Sequence, residues 1–351
     1  MAIYHLRATM ISRSAGRSAT GASAYRSAER IVDARTGLVF DYERRSGVDH
    51  TEILAPESAP DWVQDRSALW NAVEASETRK NSQVAREVRL ALPCELSHEQ
   101  RVELVRGFCQ RAFVDAGMVA DIALHAPGRE GDERNHHAHI MLTTREIGVD
   151  GFSVKNRDWN AVERLEDWRA LWAQEMNGAL ERYSVGERVD HRTLEIQRDE
   201  AFDLARQARA YGDERIELEQ TVRALSLDRE PLPQLSPGAW YLKERGDDVE
   251  SVVEWRRVRQ AAQEIKGAAL ELAGQVRDWL EQGVTHVKGL AERVREAAAG
   301  MDFSSYAERA HELAQGFRSD ERVEAEEAEK ARQKQNEQER ERLDYDRGFS
   351  L

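Results

Sequence analysis

Apolar and polar side chains alternate along Val84-Ala85-Arg86-Glu87-Val88-Arg89-Leu90-Ala91-Leu92. That two-residue period predicts a half-buried strand, ended by Pro93. The stretch from Ala2 to Ile11 alternates less regularly and is expected to be an edge or central strand of the same sheet. Two further apolar runs, Met118 to Leu124 and the segment leading through Ala138 and Ile140, flank a polar, glycine-rich stretch from Gly128 to Asn135. Paired strands joined by a loop are expected there. Helical spacing appears at Leu165, Trp168, Leu171, Trp172, Met176 and Leu180, which predicts an amphipathic helix over Ala161 to Tyr183 with its tryptophans in the core. An earlier helix is expected over Ser97 to Ala116, with Ser97 as cap, Gln100 in the capping-box position and Gly117 as the stop. The small-residue run Ser18 to Arg30 suits a helix with Thr20 as its N-cap. This mixture predicts an α+β fold, a mainly antiparallel sheet flanked by helices.

The pattern changes after Gln197. A charged helical run to about Leu227 precedes Pro231-Leu232-Pro233-Gln234-Leu235-Ser236-Pro237-Gly238, expected as a linker or docking loop. From Trp255 the positions Val258, Ala262, Ile265, Ala269, Leu272, Val276 and Trp279 alternate steps of three and four, a heptad seam and thus a partly coiled-coil region. Gly283 interrupts it before Val284, Val287, Leu290 and Val294. Asp320 to Arg347 is almost all Glu, Arg, Lys, Gln and Ala, a solvated helix or disordered tail. The expected domains are 1–198, a helical region 199–318 with its linker near 231–238, and a charged tail 319–351.

The chemistry is concentrated in the first part. Four of the ten histidines fall between His125 and His139. His137 and His139, two apart on a strand, point the same way, and strand pairing could bring His125 beside them. Three neutral imidazoles make a ligand set for a divalent metal with positions left open for a substrate oxygen. His136, between Asn135 and His137, is a spectator or a competing ligand. Tyr25 is the one large side chain in its small-residue run, a candidate nucleophile that a bulky substrate can approach. Arg7, Arg13, Arg17, Arg26 and Arg30 surround it in sequence, and the first acidic residue is Glu29. A cationic start of that kind suits a phosphate backbone.

These segments resemble the MobA/MobL conjugative relaxases, of the wider class of His-hydrophobe-His endonucleases. The similarity lies in Met1-Ala2-Ile3-Tyr4-His5-Leu6, the run around Tyr25, Arg79 to Glu87 leading to Leu92-Pro93, His125 with His137-Ala138-His139, and Val189 to Leu194. It covers roughly residues 1–198. The resemblance implies nicking of one strand at a plasmid origin of transfer, with Tyr25 forming a 5′-phosphotyrosyl bond and the strand later rejoined. It implies a divalent ion, Mn²⁺ or Mg²⁺, on His125, His137 and His139. Glu87 would orient a histidine or serve as base for Tyr25, and Arg13, Arg17 and Arg26 would contact DNA. Tyr4 is a conceivable second nucleophile, with a structural role favoured, and His5 is expected to pack. Expected partners are single-stranded DNA at the transfer origin, relaxosome accessory proteins and a type IV secretion coupling protein, with a possible dimer through the C-terminal helices. The family often carries Pro where this chain has His136, which leaves the role of that imidazole open.

Global properties restrain these expectations. A formal charge of −14 and a pI near 5.3 are unlike a general nucleic-acid binder, so DNA affinity must come from local patches. Cys94 and Cys109 lack metal-type spacing, and a reducing cytoplasm is the simplest setting, with translocation alongside DNA as a further possibility of the family. No signal peptide, membrane span or Walker-type motif is expected. Two other classes fit the same residues: a rolling-circle replication initiator, and a nonenzymatic DNA-binding or coiled-coil scaffold.

Overall fold

The computed structural model describes residues 4–127, 134–233 and 235–281. The expected loop from Gly128 therefore lies largely outside the described residues, as do the heptad positions from Gly283 onward and the charged tail.

The central sheet has five strands in the order β1-β5-β7-β6-β4, every pair antiparallel. They are β1 (Leu6–Ser12), β4 (Val48–Leu54), β5 (Gln83–Ala91), β6 (Ala120–His125) and β7 (His137–Leu142). A hairpin of β2 (Arg30–Val32) with β3 (Val39–Asp41), and another of β8 (Arg145–Gly148) with β9 (Gly151–Lys155), stand apart from it. On one face lie α3 (His98–Cys109) and α4 (Val162–Arg182), packed with Val88, Leu90, Ile122, Ile140 and Leu142 around Phe108, Phe113, Trp168 and Trp172. On the other lie α1 (Ala19–Ser27) and α2 (Arg66–Ser76), with Ile11, Val84, Ala85 and Met141 around Leu69 and Trp70. The α+β expectation describes this arrangement.

Several local expectations change. Strand β5 is central and covered on both faces rather than half-buried. Its polar residues alternate because they bond inside the protein: Arg86 lies 5.2 Å from the Trp168 ring centroid and donates to Asn160 Oδ1, while Glu87 serves the opposite face. Burial pulls the Arg86 pKa down to about 10. Trp159 is in the core. The Ser97–Gln100 capping box forms, and α3 continues as a π-helical turn over Gln110–Val114. Gly117 follows at φ +92, a conformation that favours glycine. For α1 the cap is Ser18, whose Oγ accepts from the Gly21 amide; Thr20 turns inward to Asp33 instead.

The chain divides into two compact units. The first takes in the described residues to Thr193 together with α7 (Pro237–Glu244) and the start of α8 (Glu250–Glu281). Part of the expected linker is thus helix, begun by Pro237 at a position where its missing N–H is no loss. Residues 234–253, placed by composition in the 199–318 region, cluster with this first unit. The second unit holds Leu194–Pro233 and α8 from Glu254. The charged run there is two helices, α5 (Leu194–Tyr211) and α6 (Glu214–Leu227), broken at Gly212 with φ +75. Helix α8 carries the beginning of the heptad seam, with Trp255, Val258 and Ala269 buried. Among the described residues no helix is long and apolar enough to cross a membrane.

Candidate active site

Strand register assembles the histidines. His125 is paired directly with His137 across β6 and β7, and His139 lies one row further on the same face. Their ring centroids are 5.3 Å (His125–His137), 4.7 Å (His125–His139) and 5.3 Å (His137–His139) apart, and one nitrogen from each lies within 4.8 Å of the others. Each ring is held at its other nitrogen. His125 Nε2 bonds the Arg26 carbonyl at 2.8 Å, His137 Nδ1 the Asn135 carbonyl at 2.9 Å, and His139 Nδ1 the Glu87 carboxylate at 2.7 Å. An acceptor beside each imidazole places the proton on that nitrogen and leaves the opposite lone pair, His125 Nδ1, His137 Nε2 and His139 Nε2, free to bind a cation. This donor set fits a divalent metal. Burial pushes the His125 pKa down to about 4, helped by the His139, Arg45 and His137 charges against the Arg26 hydrogen bond, so the ring is neutral at ordinary pH. Burial also lowers His139, against the opposing pull of Glu87. His136, one residue out of register, is on the other side of the strand near Asp49, Arg101 and His98, and so is not in the cluster.

Helix α1, which carries Tyr25, packs on this face. Its buried side carries Thr20, Ser23 and Arg26 at three-residue spacing, and each reaches a carboxylate. Thr20 Oγ1 donates to Asp33 (2.6 Å), Ser23 Oγ to Asp121 (2.8 Å) and Arg26 Nε to Glu87 (2.7 Å). The Ala19 amide donates to Glu74 at 2.6 Å. Ala19, Ala22 and Ala24 are buried, so the small residues serve close packing of the helix. Gly21 belongs to the same close packing: a Cβ there would stand 2.9 Å from the Phe40 ring, which would have to move. Tyr25 points away from that side and is 45% exposed. The Arg45 guanidinium carbon is 4.0 Å from its ring centroid, and Tyr42 meets the ring edge-on at 5.2 Å.

The structure redistributes the arginines expected to contact DNA. Arg13 is buried against Glu74 and donates to the carbonyls of Glu74, Glu77 and Arg79 around the end of α2. Arg26 is buried on Glu87 and the Ala22 carbonyl. Both guanidinium groups are thus paired within the protein. Arg17 remains 42% exposed, 3.9 Å from Glu87. Burial opposes ionisation of Glu87, but the hydrogen bonds and charges of His139 and Arg26 overcome it and hold the pKa down to about 2. Tyr4 donates its hydroxyl to the Arg169 carbonyl, and burial raises its pKa, so the structural role applies.

Asp121 was missed. It accepts from Ser23, Arg66 and the Trp70 indole, anchoring α1 and α2 to β6. The signal was there, a lone carboxylate inside the apolar run Val119 to Leu124, which demands buried partners. Asp121→Ala would leave those donors behind and should lower stability by about 3 kcal/mol in a denaturant titration, with Asp121→Asn losing less. Arg45 and Tyr42 were missed as well, because they come from the β3–β4 connection and no local pattern marks them.

Residues 17–204 match the model of the MobA/MobL family. Mobilization protein MobL of Acidithiobacillus ferridurans is 38% identical over 268 residues, covering 67% of this chain and 70% of that protein. Conjugal transfer protein TraA of Rhizobium radiobacter is 35% identical over 229 residues, 56% of this chain but only 20% of that protein. A solved structure concerned with vancomycin resistance transfer in Staphylococcus aureus is 36% identical with a TM-score of 0.51, covering 55% of this chain and 100% of that one. With its family match spanning more than half of the sequence, this chain belongs to the MobA/MobL family.

Proposed function

We propose that the chain is a metal-dependent relaxase that nicks one strand at a plasmid transfer origin and later rejoins it. The observation that carries this reading is the coupling through Arg26, whose carbonyl holds His125 while its guanidinium holds Glu87, the anchor of His139, with Tyr25 next in the chain. Nucleophile and ligand set are thereby mounted on one another.

Tyr25 Oη attacks the scissile phosphorus; the Oη–P bond forms as the phenolic proton passes to water, the P–O3′ bond breaks, and the 3′-oxygen takes a proton from water and leaves as a hydroxyl. The bond energy is kept in the phosphotyrosine, so rejoining needs no nucleotide. When bound by the three imidazoles, Mn²⁺ or Mg²⁺ supplies positive charge beside a nonbridging phosphate oxygen. The Arg45 guanidinium, 4.0 Å from the phenol ring centroid, holds the ring in place and puts positive charge beside the incoming phosphate. Glu87 orients His139 rather than taking the phenolic proton, because a carboxylate held near pKa 2 by two donors is a poor base. The strand enters single-stranded, which implies accessory proteins that open the duplex and a secretion coupling protein that receives the complex.

The test is incubation with labelled single-stranded DNA spanning a transfer origin of the host element, with and without Mn²⁺, followed by denaturing electrophoresis. A metal-dependent covalent adduct is expected from the wild type. His137→Ala should lower its rate by at least about 100-fold while the chain stays folded. Failure of the metal-loaded wild type on the correct origin would overturn the reading.

A further inference from the structure

Register places Arg7, Arg89 and His139 in a single row across β1, β5 and β7. Residues in one row share a face, so both guanidinium groups stand on the histidine side of the sheet, leading from His139 to the β1 edge. Like charges directly opposite one another destabilise a strand pair. This sequence has 65 acidic residues against 51 basic ones, and nearby arginines on that face do find carboxylates. Arg13 and Arg35 have Glu74, Arg17 and Arg26 have Glu87, and Arg66 has Asp121. Arg7 and Arg89 make no ion pair or side-chain hydrogen bond with any described residue, and Arg7 is exposed while Arg89 is half-buried. The uncompensated charge acts on His5, whose pKa is lowered by burial and then by Arg89 and Arg7.

A repulsive pair of forked donors beside a candidate phosphate-processing centre is the arrangement a polyanion would stabilise. We propose that Arg89 and Arg7 form a phosphate clamp that carries single-stranded DNA from the histidine cluster across β5 to the open edge of β1. The clamp rests on the DNA reading above, but it concerns binding and not bond cleavage. It also accounts for DNA affinity in a protein of net charge −14, since two unpaired arginines act locally where the overall field does not help.

The test is fluorescence anisotropy of a labelled, mixed-sequence single-stranded oligonucleotide with the full chain, in chelator, across a salt series. Each phosphate contact contributes about 0.7 to the slope of log K against log salt for a single strand, so Arg7→Gln with Arg89→Gln should flatten that slope by about 1.4. Arg7→Lys with Arg89→Lys should keep it. The Gln pair should melt at or above the wild-type temperature, because a repulsion has been removed. An unchanged slope, or a lowered melting temperature that assigns the arginines to the fold, overturns the clamp. Wild-type protein that does not bind the oligonucleotide overturns both the clamp and the DNA reading, whereas binding without nicking on origin DNA would spare the clamp alone.

Discussion

Tyr25→Phe should form no DNA adduct, a loss of at least about 10⁴-fold, while melting and metal binding stay at wild-type values. The fold does not use the phenolic oxygen: Tyr25 is 45% exposed, and its ring contacts with Tyr42 and Arg45 survive in phenylalanine. A stability change within about 0.5 kcal/mol is expected. Neither Tyr4 nor Tyr42 stands ready to replace it. Tyr4 is committed to the Arg169 carbonyl, and Tyr42 lies edge-on to Tyr25 with its own attack unsupported by the α1 anchors. Peptide mapping of the wild-type adduct, together with the Phe variant, checks this; an adduct persisting in Tyr25→Phe would remove Tyr25 from the mechanism.

The second large effect is on stability and metal together. Glu87→Ala should lower the unfolding free energy by about 3–5 kcal/mol, because the buried Arg26 loses its counter-charge. It should also weaken metal binding by about 10–100-fold, since His139 loses the acceptor that fixes its proton and its orientation. Glu87→Gln separates the two, retaining an acceptor without the charge. The sign with pH follows from the depressed pKa. Glu87 contributes its full stabilisation above the ordinary carboxylate pKa of about 4.3, and this is lost as pH falls from there towards about 2. The acid limb of a stability-against-pH curve should therefore be shallower in Glu87→Gln than in the wild type. Identical acid limbs would show that the His139 and Arg26 contacts do not set the state of Glu87.

The histidine cluster was legible because two-residue spacing on a strand is geometrically strict, and the loop-separated apolar runs already implied that His125 would be paired nearby. The capping box at Ser97 and the core tryptophans of α4 were legible for the same local reason. What the pattern could not show is where each buried charge finds its partner. Arg13 and Glu74 are 61 positions apart, as are Arg26 and Glu87, so the cationic start looked available for DNA until the fold closed those pairs. The same blindness made β5 seem half-exposed, since a buried Arg86 and a buried Glu87 have the polarity of solvent-facing residues. Thr20 suits a helix cap by local capping chemistry, whereas its bond to Asp33 depends on the β2–β3 hairpin.

The closed circuit through Arg26 has a consequence for what happens after the cut. The residue beside the nucleophile is pinned by its carbonyl to His125 and by its side chain to Glu87, so a DNA end carried on Tyr25 has little freedom to swing away from the histidines. The protein then behaves as a vice whose jaw does not travel. On the proposed mechanism, the lifetime of the open strand would be set by when a 3′ end comes back to Tyr25, and the timing of closure would belong to the DNA in transit.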